Sequence, residues 1–450
     1  MSILSTYEAT HPKSAGLHRQ ASDVFPDGVT HDARHFTPFP IYAERAAGSH
    51  KWDVDGNEYI DYVSGHGALL LGHAQPAVTE AVTRQITRGT HLGASTELEV
   101  AWGRWVQKLI PSAEKVRFTS SGTEAVQMAV RLARAHTGRD LLIKFDGHFN
   151  GWSDTVSANP IAGQDAPGCV GVSDAATQLQ VILPQNDIDA FRRTMAELAG
   201  TVAAVILEPT GASMGSIPIE PEFLFVLREE TERTGTVLIF DEVVTGFRMS
   251  PGGAQAYFGV TPDMSTLAKI LAGGLPGGAV AGRADILNQI EFNPEHHPSG
   301  RISHPGTFNA NPLSSAAGAA ALEIVATSEP HRRANEAAAT IARGMNDALA
   351  RREIDGCVYG MGSLLHVLLG VPCARPEDGI TWTWSGDRRS SVPRTPPDLV
   401  TVFRRAMLNH GVDPMSTRLI VGAEHSGNDV SATIDAFERT LDEMRDEQFL

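Results

Sequence analysis

Cysteine is scarce in this chain: three among 450 residues, at Cys169, Cys357 and Cys373. Few, odd in number and widely separated, they fit a reducing compartment better than a disulfide framework or a zinc site. No metal-ligand set is expected. Long apolar runs are also missing. None approaches the roughly 18 residues that a membrane helix needs, and the first residues, MSILSTYEATHPKS, lack a basic segment followed by an apolar core. A cytoplasmic protein without a membrane partner is the expectation. Basic charge is in deficit, 37 Lys and Arg against 53 Asp and Glu, for a formal net charge of −16. That balance argues against nucleic acid as a partner, because phosphate neutralisation needs a basic surface. It leaves room for a small anionic substrate, which needs only one local arginine.

The length exceeds what a single core supports, so two or more domains are expected. Residues from about 5 to 24 read as one helix. His50–Val54 and Glu58–Val63 flank Asp55-Gly56-Asn57 as a hairpin. DVDGNEY superficially suggests a calcium loop, but its glycine falls at the fourth position rather than the sixth. From about 70 to 325 helical patterns alternate with short apolar strands, at Lys115–Thr119, Leu141–Phe145, Gln180–Leu183, Val202–Leu207, Val237–Phe240 and Gly278–Ala281. Such alternation predicts an α/β fold with a mostly parallel, helix-covered sheet. A long helix to Arg352, a strand near Leu364–Leu369, a Pro-rich loop (SSVPRTPPD), a helix Leu399–Asn409 and a final strand and helix complete a smaller C-terminal region.

Asp241 follows the apolar run Val237–Phe240, at the carboxyl end of a strand, where open α/β sheets bind ligands. Lys269 is the one cation in the run Thr266–Leu271 before a glycine cluster. Singly, the first reads equally as a helix N-cap and the second as a lysine that snorkels to solvent. Pyridoxal phosphate (PLP) uses both: a lysine to hold it as a Schiff base and a carboxylate to keep its ring nitrogen protonated. RFTSSGTEAVQMAVRLAR adds a strand that runs through Ser121-Gly122-Thr123 into an amphipathic helix. The first-turn amides there make a phosphate site, or the segment is a plain capping box with Glu124.

SGTEA, DEVVTGFR, LAKILAGGLPGG and GTFNANP, in this order and spacing, resemble class III (subgroup II) PLP aminotransferases of fold type I. The resemblance spans essentially the whole chain. It points to the branch holding glutamate-1-semialdehyde aminomutase and D-phenylglycine aminotransferase. It implies a large domain with a mostly parallel seven-stranded sheet and a small α+β domain built from both termini. The expected division is an N-terminal segment 1–65, a large domain 66–328 and a small domain 329–450. In this resemblance Lys269 is the Schiff-base lysine and proton shuttle, Asp241 pairs with the ring nitrogen, and Val243 packs on a ring face. Ser121, Gly122 and Thr123 hold the phosphate. Thr307 in HPGTF reaches the phosphate of the neighbouring subunit, implying a homodimer with shared sites. Glu208 in LEPTGASMG resembles the family's second carboxylate near the cofactor.

Departures from the family fall where the substrate is read. In GHFNGW, Phe149-Asn150 stands where relatives carry Tyr-His. A phenyl ring still stacks, but a hydroxyl and an imidazole are lost. GVTHDAR resembles the loop that supplies a carboxylate-binding arginine, pointing to Arg34, which otherwise reads as a surface charge. His66 stands where aminomutases carry tryptophan, Ser213 replaces a larger polar residue, and MSTRL replaces an aminomutase segment, bringing in Arg418. His66, Arg34 and the closing helix (DEQFL) resemble the D-phenylglycine branch. The leading expectation is therefore an aminotransferase that moves an amino group from an amino acid or amine, with room for an aromatic donor, to a 2-oxo acid. The alternative is an intramolecular isomerase, an aminomutase or racemase. A PLP-binding regulatory or inert protein is disfavoured by the presence of both Lys269 and Asp241.

Overall fold

Strand Val202–Leu207 reads VAAVIL and is buried along its full length, as is Val237–Glu242. In the computed structural model, which describes residues 1–158, 170–293, 300–381 and 394–450, these two strands lie side by side in a seven-stranded sheet. Its order is Lys115–Thr119, Gly278–Gly282, Met264–Ala268, Val237–Glu242, Val202–Leu207, Leu141–Phe145, Gln180–Leu183. Gly278–Gly282 is antiparallel to both its neighbours, and the remaining pairs are parallel. This sheet belongs to a compact unit spanning Pro76–His331.

Period-two alternation sends side chains to two separate cores. Ala204, Ile206, Val237 and Ile239 pack with helix Gly122–Thr137 through Val126, Val130 and Leu132. Val205, Leu207, Leu238 and Phe240 pack on the other face with Phe191, Phe223 and Leu227. By the same parity Asp241 follows Val237 and Ile239 to the side of helix Gly122–Thr137. Each buried apolar side chain of the strand contributes about 1.5–3 kcal/mol. A desolvated carboxylate costs several kcal/mol, so the four preceding residues together can carry Asp241 into a buried position. The sequence reading overlooked strand Met264–Ala268, whose sequence MSTLA is too small and polar to announce itself. It divides the run Thr266–Leu271 into a strand end and the short helical turn Lys269–Ala272.

The second unit combines Met1–Gln75 with the described residues from Arg332 onward. One sheet holds Ala43–Ala47, His50–Asp53, Glu58–Asp61 and Val412–Asp413, and another holds Gly356–Met361, Leu364–Leu369 and Arg418–Ile420. Ile60, Met345, Leu349, Val358, Leu365, Phe403 and Phe437 share its core. The chain ends meet here: the Ile3 amide donates to Glu447 at 2.6 Å, and Asn409 Nδ2 to the Ile3 carbonyl at 2.9 Å.

Several expectations change. The helix read over 5–24 is two, Ile3–Thr10 and Pro12–Ser22, broken at His11 because Pro12 cannot continue a helix. The segment from His66 to His73, expected with the larger domain, is hydrogen-bonded into the smaller unit. His73 and Gly48 exchange backbone bonds, and the Ala423 amide donates to the Leu70 carbonyl at 2.7 Å. The last helix ends at Asp446, so most of DEQFL lies beyond it. In DVDGNEY, Asp53 Oδ1 accepts the amides of Asp55 and Asn57, a carboxylate that closes its own turn. Cys357 and Cys373 are both free thiols. Cys169 and residues 390–393 of the Pro-rich loop lie outside the described residues. Among the described residues no helix is long and apolar enough to cross a membrane.

Candidate active site

Asp241 is 4% exposed, and both its oxygens are engaged. Oδ1 accepts from Thr266 Oγ1 at 3.1 Å and from the Val243 amide at 3.2 Å, while Oδ2 accepts from Asn150 Nδ2 at 2.9 Å. Thr266 stands opposite Asp241 in the strand register, so the sheet itself delivers one donor. Burial raises the Asp241 pKa. The Asn150, Val243 and Thr266 hydrogen bonds, and the charge of Lys269, oppose that rise.

Lys269 follows the strand neighbouring Asp241 and adopts φ +55, the left-handed region that a residue with a side chain seldom occupies. Gly273 (φ +61) completes the turn, where a Cβ would lie 2.8 Å from the Ala317 carbonyl oxygen. Burial lowers the Lys269 pKa, and the charges of Asp241 and Glu208 resist that drop. Arg248, wholly buried and pushed down to about 10, adds like-charge repulsion to Lys269.

Glu208 ends strand Val202–Leu207. Its Oε1 accepts the amides of Phe149 (2.8 Å) and Ser213 (2.9 Å), and its Oε2 accepts that of Met214 (2.9 Å). Burial nevertheless pushes its pKa up to about 7, helped by the nearby charge of Asp241. Ser213 and Met214 sit at φ +52 and +65, so their amides are aimed by a strained turn. Behind it, His148 Nδ1 accepts the Glu208 amide at 2.9 Å and Nε2 meets Gln185 Oε1 at 2.8 Å. Burial drives His148 down to about 4, so it is a neutral imidazole carrying its proton on Nε2.

The phosphate turn closes against this group. Ser121 caps helix Gly122–Thr137, its Oγ accepting the Glu124 amide at 3.2 Å, while Glu124 Oε2 accepts the Ser120 amide at 2.7 Å. The capping-box reading is therefore only half realised, because Glu124 reaches past the cap to the Ser120 amide, and the first-turn amides at Gly122 and Thr123 have no partner within the helix. Accepting at Oγ leaves the Ser121 hydroxyl proton able to donate elsewhere. A Cβ on Gly122 would lie 2.8 Å from Val243 Cγ2 and 3.5 Å from Ala268 Cβ. Only glycine lets this turn approach both Val243, two residues after Asp241, and Ala268, the residue before Lys269. Gly151 (φ +95) does the same for the FNG turn, where a Cβ would meet Thr123 Oγ1 at 2.9 Å. Phe149 is 57% exposed, so it is no core aromatic and presents its ring outward. Thr307 is exposed, its carbonyl accepting from His91 Nε2 at 2.7 Å.

Ser121, Gly122, Thr123, Phe149, Glu208, Ser213, Asp241, Val243, Lys269 and Thr307 all belong to the sheet-bearing unit. Arg34, His66 and Arg418 belong to the other. Arg34 is exposed and donates to Thr30 Oγ1 at 2.7 Å. His31 of the same loop stacks on the ring of His66 at 4.8 Å between centroids, which brings the Arg34 loop beside His66. Arg418 lies opposite His366 at the start of its strand. The sequence reading passed over Asn150, Thr266, His148 and Arg248 as site residues. Strand register, once known, identifies Thr266. The GHFNGW glycines were the one available signal for His148 and Asn150.

The donor set fits PLP. Asp241 accepts three hydrogen bonds where a carboxylate offers about four lone-pair sites, a depressed lysine stands near it, and a glycine cradle precedes bare helix amides. Fold and site together define a PLP-dependent enzyme of fold type I. The chain belongs to the family described as Aminotransferase class-III, whose profile matches residues 31–374. It is 37% identical over 444 residues to glutamate-1-semialdehyde 2,1-aminomutase of Methanopyrus kandleri, covering 97% of this chain and 99% of that protein. The Aquifex aeolicus protein of the same name is 37% identical over 406 residues, 89% and 92% of the two chains. Among solved structures, an omega-transaminase from Sphaerobacter thermophilus matches with a TM-score of 0.86 at 35% identity, over 96% and 98% of the chains. A glutamate-1-semialdehyde-aminomutase from Pseudomonas aeruginosa PAO1 matches at 0.85 and 26% identity, over 98% and 97%. The leading expectation of amino transfer to a 2-oxo acid is corrected by these relatives. The curated relatives that match nearly the whole chain at 37% and 38% identity carry an aminomutase name, which favours the intramolecular alternative.

Proposed function

We propose that this enzyme is an intramolecular isomerase of the glutamate-1-semialdehyde 2,1-aminomutase kind, relocating an amino group within one small molecule. The observation that carries this reading is the full-length 37% identity to the Methanopyrus kandleri aminomutase. Bound PLP supplies a carbonyl that bonds to amines and a ring that takes up electrons from a substrate carbon. Lys269 would hold the cofactor, and burial, which lowers its pKa, favours the neutral amine that bonds to a carbonyl. Released from the cofactor, the same Nζ would carry a proton away from one carbon and return it at another. Asp241 would accept the ring N–H, Val243 and Phe149 would take the ring faces, and Glu208 would hold the turn that carries Phe149. The Gly122 and Thr123 amides and the Ser121 hydroxyl would bind the phosphate, with Thr307 reaching the phosphate of the second subunit in a homodimer.

Such a substrate carries a carboxylate, for which a guanidinium is the matched partner. Arg34 takes that role in this reading, with His66, Ser213 and Arg418 as further substrate contacts. The test is product identity. The holoenzyme is incubated with glutamate-1-semialdehyde and no 2-oxo acid, and the products are read by NMR. The isomer with nitrogen moved from carbon 2 to carbon 1, formed over many turnovers with total amine conserved, supports the proposal. A deaminated product stopping at one equivalent of enzyme would contradict it.

A further inference from the structure

Asn150 is 1% exposed and reaches 91 residues along the sequence to place Nδ2 at 2.9 Å from Asp241 Oδ2. Its Oδ1 is buried without a hydrogen-bond partner. A buried unpaired carbonyl oxygen is unfavourable, so the amide is not oriented by its own oxygen. The contact that orients it is the one to Asp241. The reverse amide orientation would set oxygen against carboxylate oxygen. The turn that carries Asn150 is seated from both sides, by the Phe149 amide on Glu208 and by Gly151 packed on Thr123.

The remaining donors to Asp241, Thr266 Oγ1 and the Val243 amide, both go to Oδ1. Asn150 is therefore the one side-chain donor on Oδ2 among the described residues, and without it that oxygen has no partner fixing its direction. We propose that Asn150 is a positioning residue: a neutral clamp that sets the plane of the Asp241 carboxylate and leaves one lone-pair direction for the ring N–H of PLP. An amide suits the task because it donates strongly and never gains or loses a proton, so the acceptor's charge is undisturbed by its neighbour. This assignment concerns the cofactor and holds whichever reaction the enzyme performs.

Asn150→Asp is nearly isosteric but replaces the donor with a second carboxylate. Asn150→Ala removes the donor, and Asn150→His restores an N–H. Each is purified without cofactor, its melting temperature recorded, and PLP affinity and the visible absorbance of the lysine-linked cofactor measured at one pH. The expected result is a loss of PLP affinity of about 10-fold or more in Asn150→Asp, since a hydrogen bond to a charged group becomes a repulsion. The loss should be smaller in Asn150→Ala, both of these variants should show an altered absorbance maximum, and Asn150→His should regain the parent's affinity and spectrum. Affinity within twofold of the parent and an unchanged spectrum in Asn150→Asp and Asn150→Ala would overturn the proposal. So would losses that only follow the melting temperature of the cofactor-free protein.

Discussion

The carboxylate of Glu208 accepts the backbone amide of Phe149 at 2.8 Å. One buried acid thereby aims a backbone segment rather than another charge. Two residues with φ near +60, Ser213 and Met214, bring their amides to the same carboxylate. The turn that presents the exposed phenyl ring is thus fixed from strand Val202–Leu207, whose end lies beside that of Val237–Glu242.

Glu208 titrates near 7, so it is mostly neutral below that pH and adds a negative charge beside Lys269 above it. That charge favours protonated nitrogen at Lys269. Glu208→Gln removes it. The absorbance titration of the lysine-linked cofactor should then shift to lower pH, by up to about one unit. An unshifted titration in a folded variant would remove Glu208 from the charge balance at Lys269.

His148 gives a stability signature of definite sign. Its folded pKa is about 4 against an ordinary 6.5. Below 6.5 the unfolded chain therefore binds a proton that the folded chain refuses. The contribution is complete above pH 6.5 and is lost as pH falls toward 4, on the order of 3 kcal/mol in total. His148→Gln keeps one donor and one acceptor without a titration. Its unfolding free energy should fall less between pH 7 and pH 5 than that of the parent, as read by urea denaturation. Equal falls would reject the neutral assignment.

Lys269→Ala should abolish the visible absorbance of the lysine-linked cofactor while far-UV circular dichroism stays unchanged. Replacing a strained left-handed lysine costs at most a few kcal/mol of packing and backbone energy. Persistence of the band would mean that another lysine holds the cofactor.

Gly122→Ala places a methyl 2.8 Å from Val243 Cγ2. Overpacking of this kind costs about 1–3 kcal/mol and pushes the phosphate turn outward. PLP affinity should drop by about 10-fold or more, whereas pyridoxal, which lacks the phosphate, should bind as in the parent. Equal losses for both ligands would place Gly122 outside the phosphate site.

The sheet was legible where residues are apolar on both faces, as in Val202–Leu207 and Val237–Phe240, because burial there leaves a composition signal. Met264–Ala268 left none. Its Ser265 and Thr266 are buried with hydroxyls satisfied by Ser112 and Asp241, and polar residues paired at long range look like loop. The cofactor motif was legible because Asp241 closes an apolar strand and Lys269 is the one cation in the run Thr266–Leu271 before a glycine cluster. Asn150 was seen only as a departure, since its partner lies 91 positions away. His66 was grouped with the wrong part of the chain because the bonds that hold its segment come from Gly48 and Ala423. The reaction was read as amino transfer for a related reason: single departures at Phe149, His66 and Ser213 were weighed more heavily than similarity over the whole chain.

The most direct measurement is the dependence of turnover on an amino acceptor. The holoenzyme is supplied with glutamate-1-semialdehyde, and steady-state product formation is followed as 2-oxo acid is added from zero to saturating levels. An intramolecular isomerase turns over fully at zero acceptor and gains nothing from more. A rate that starts at zero and rises hyperbolically with the 2-oxo acid would contradict the account.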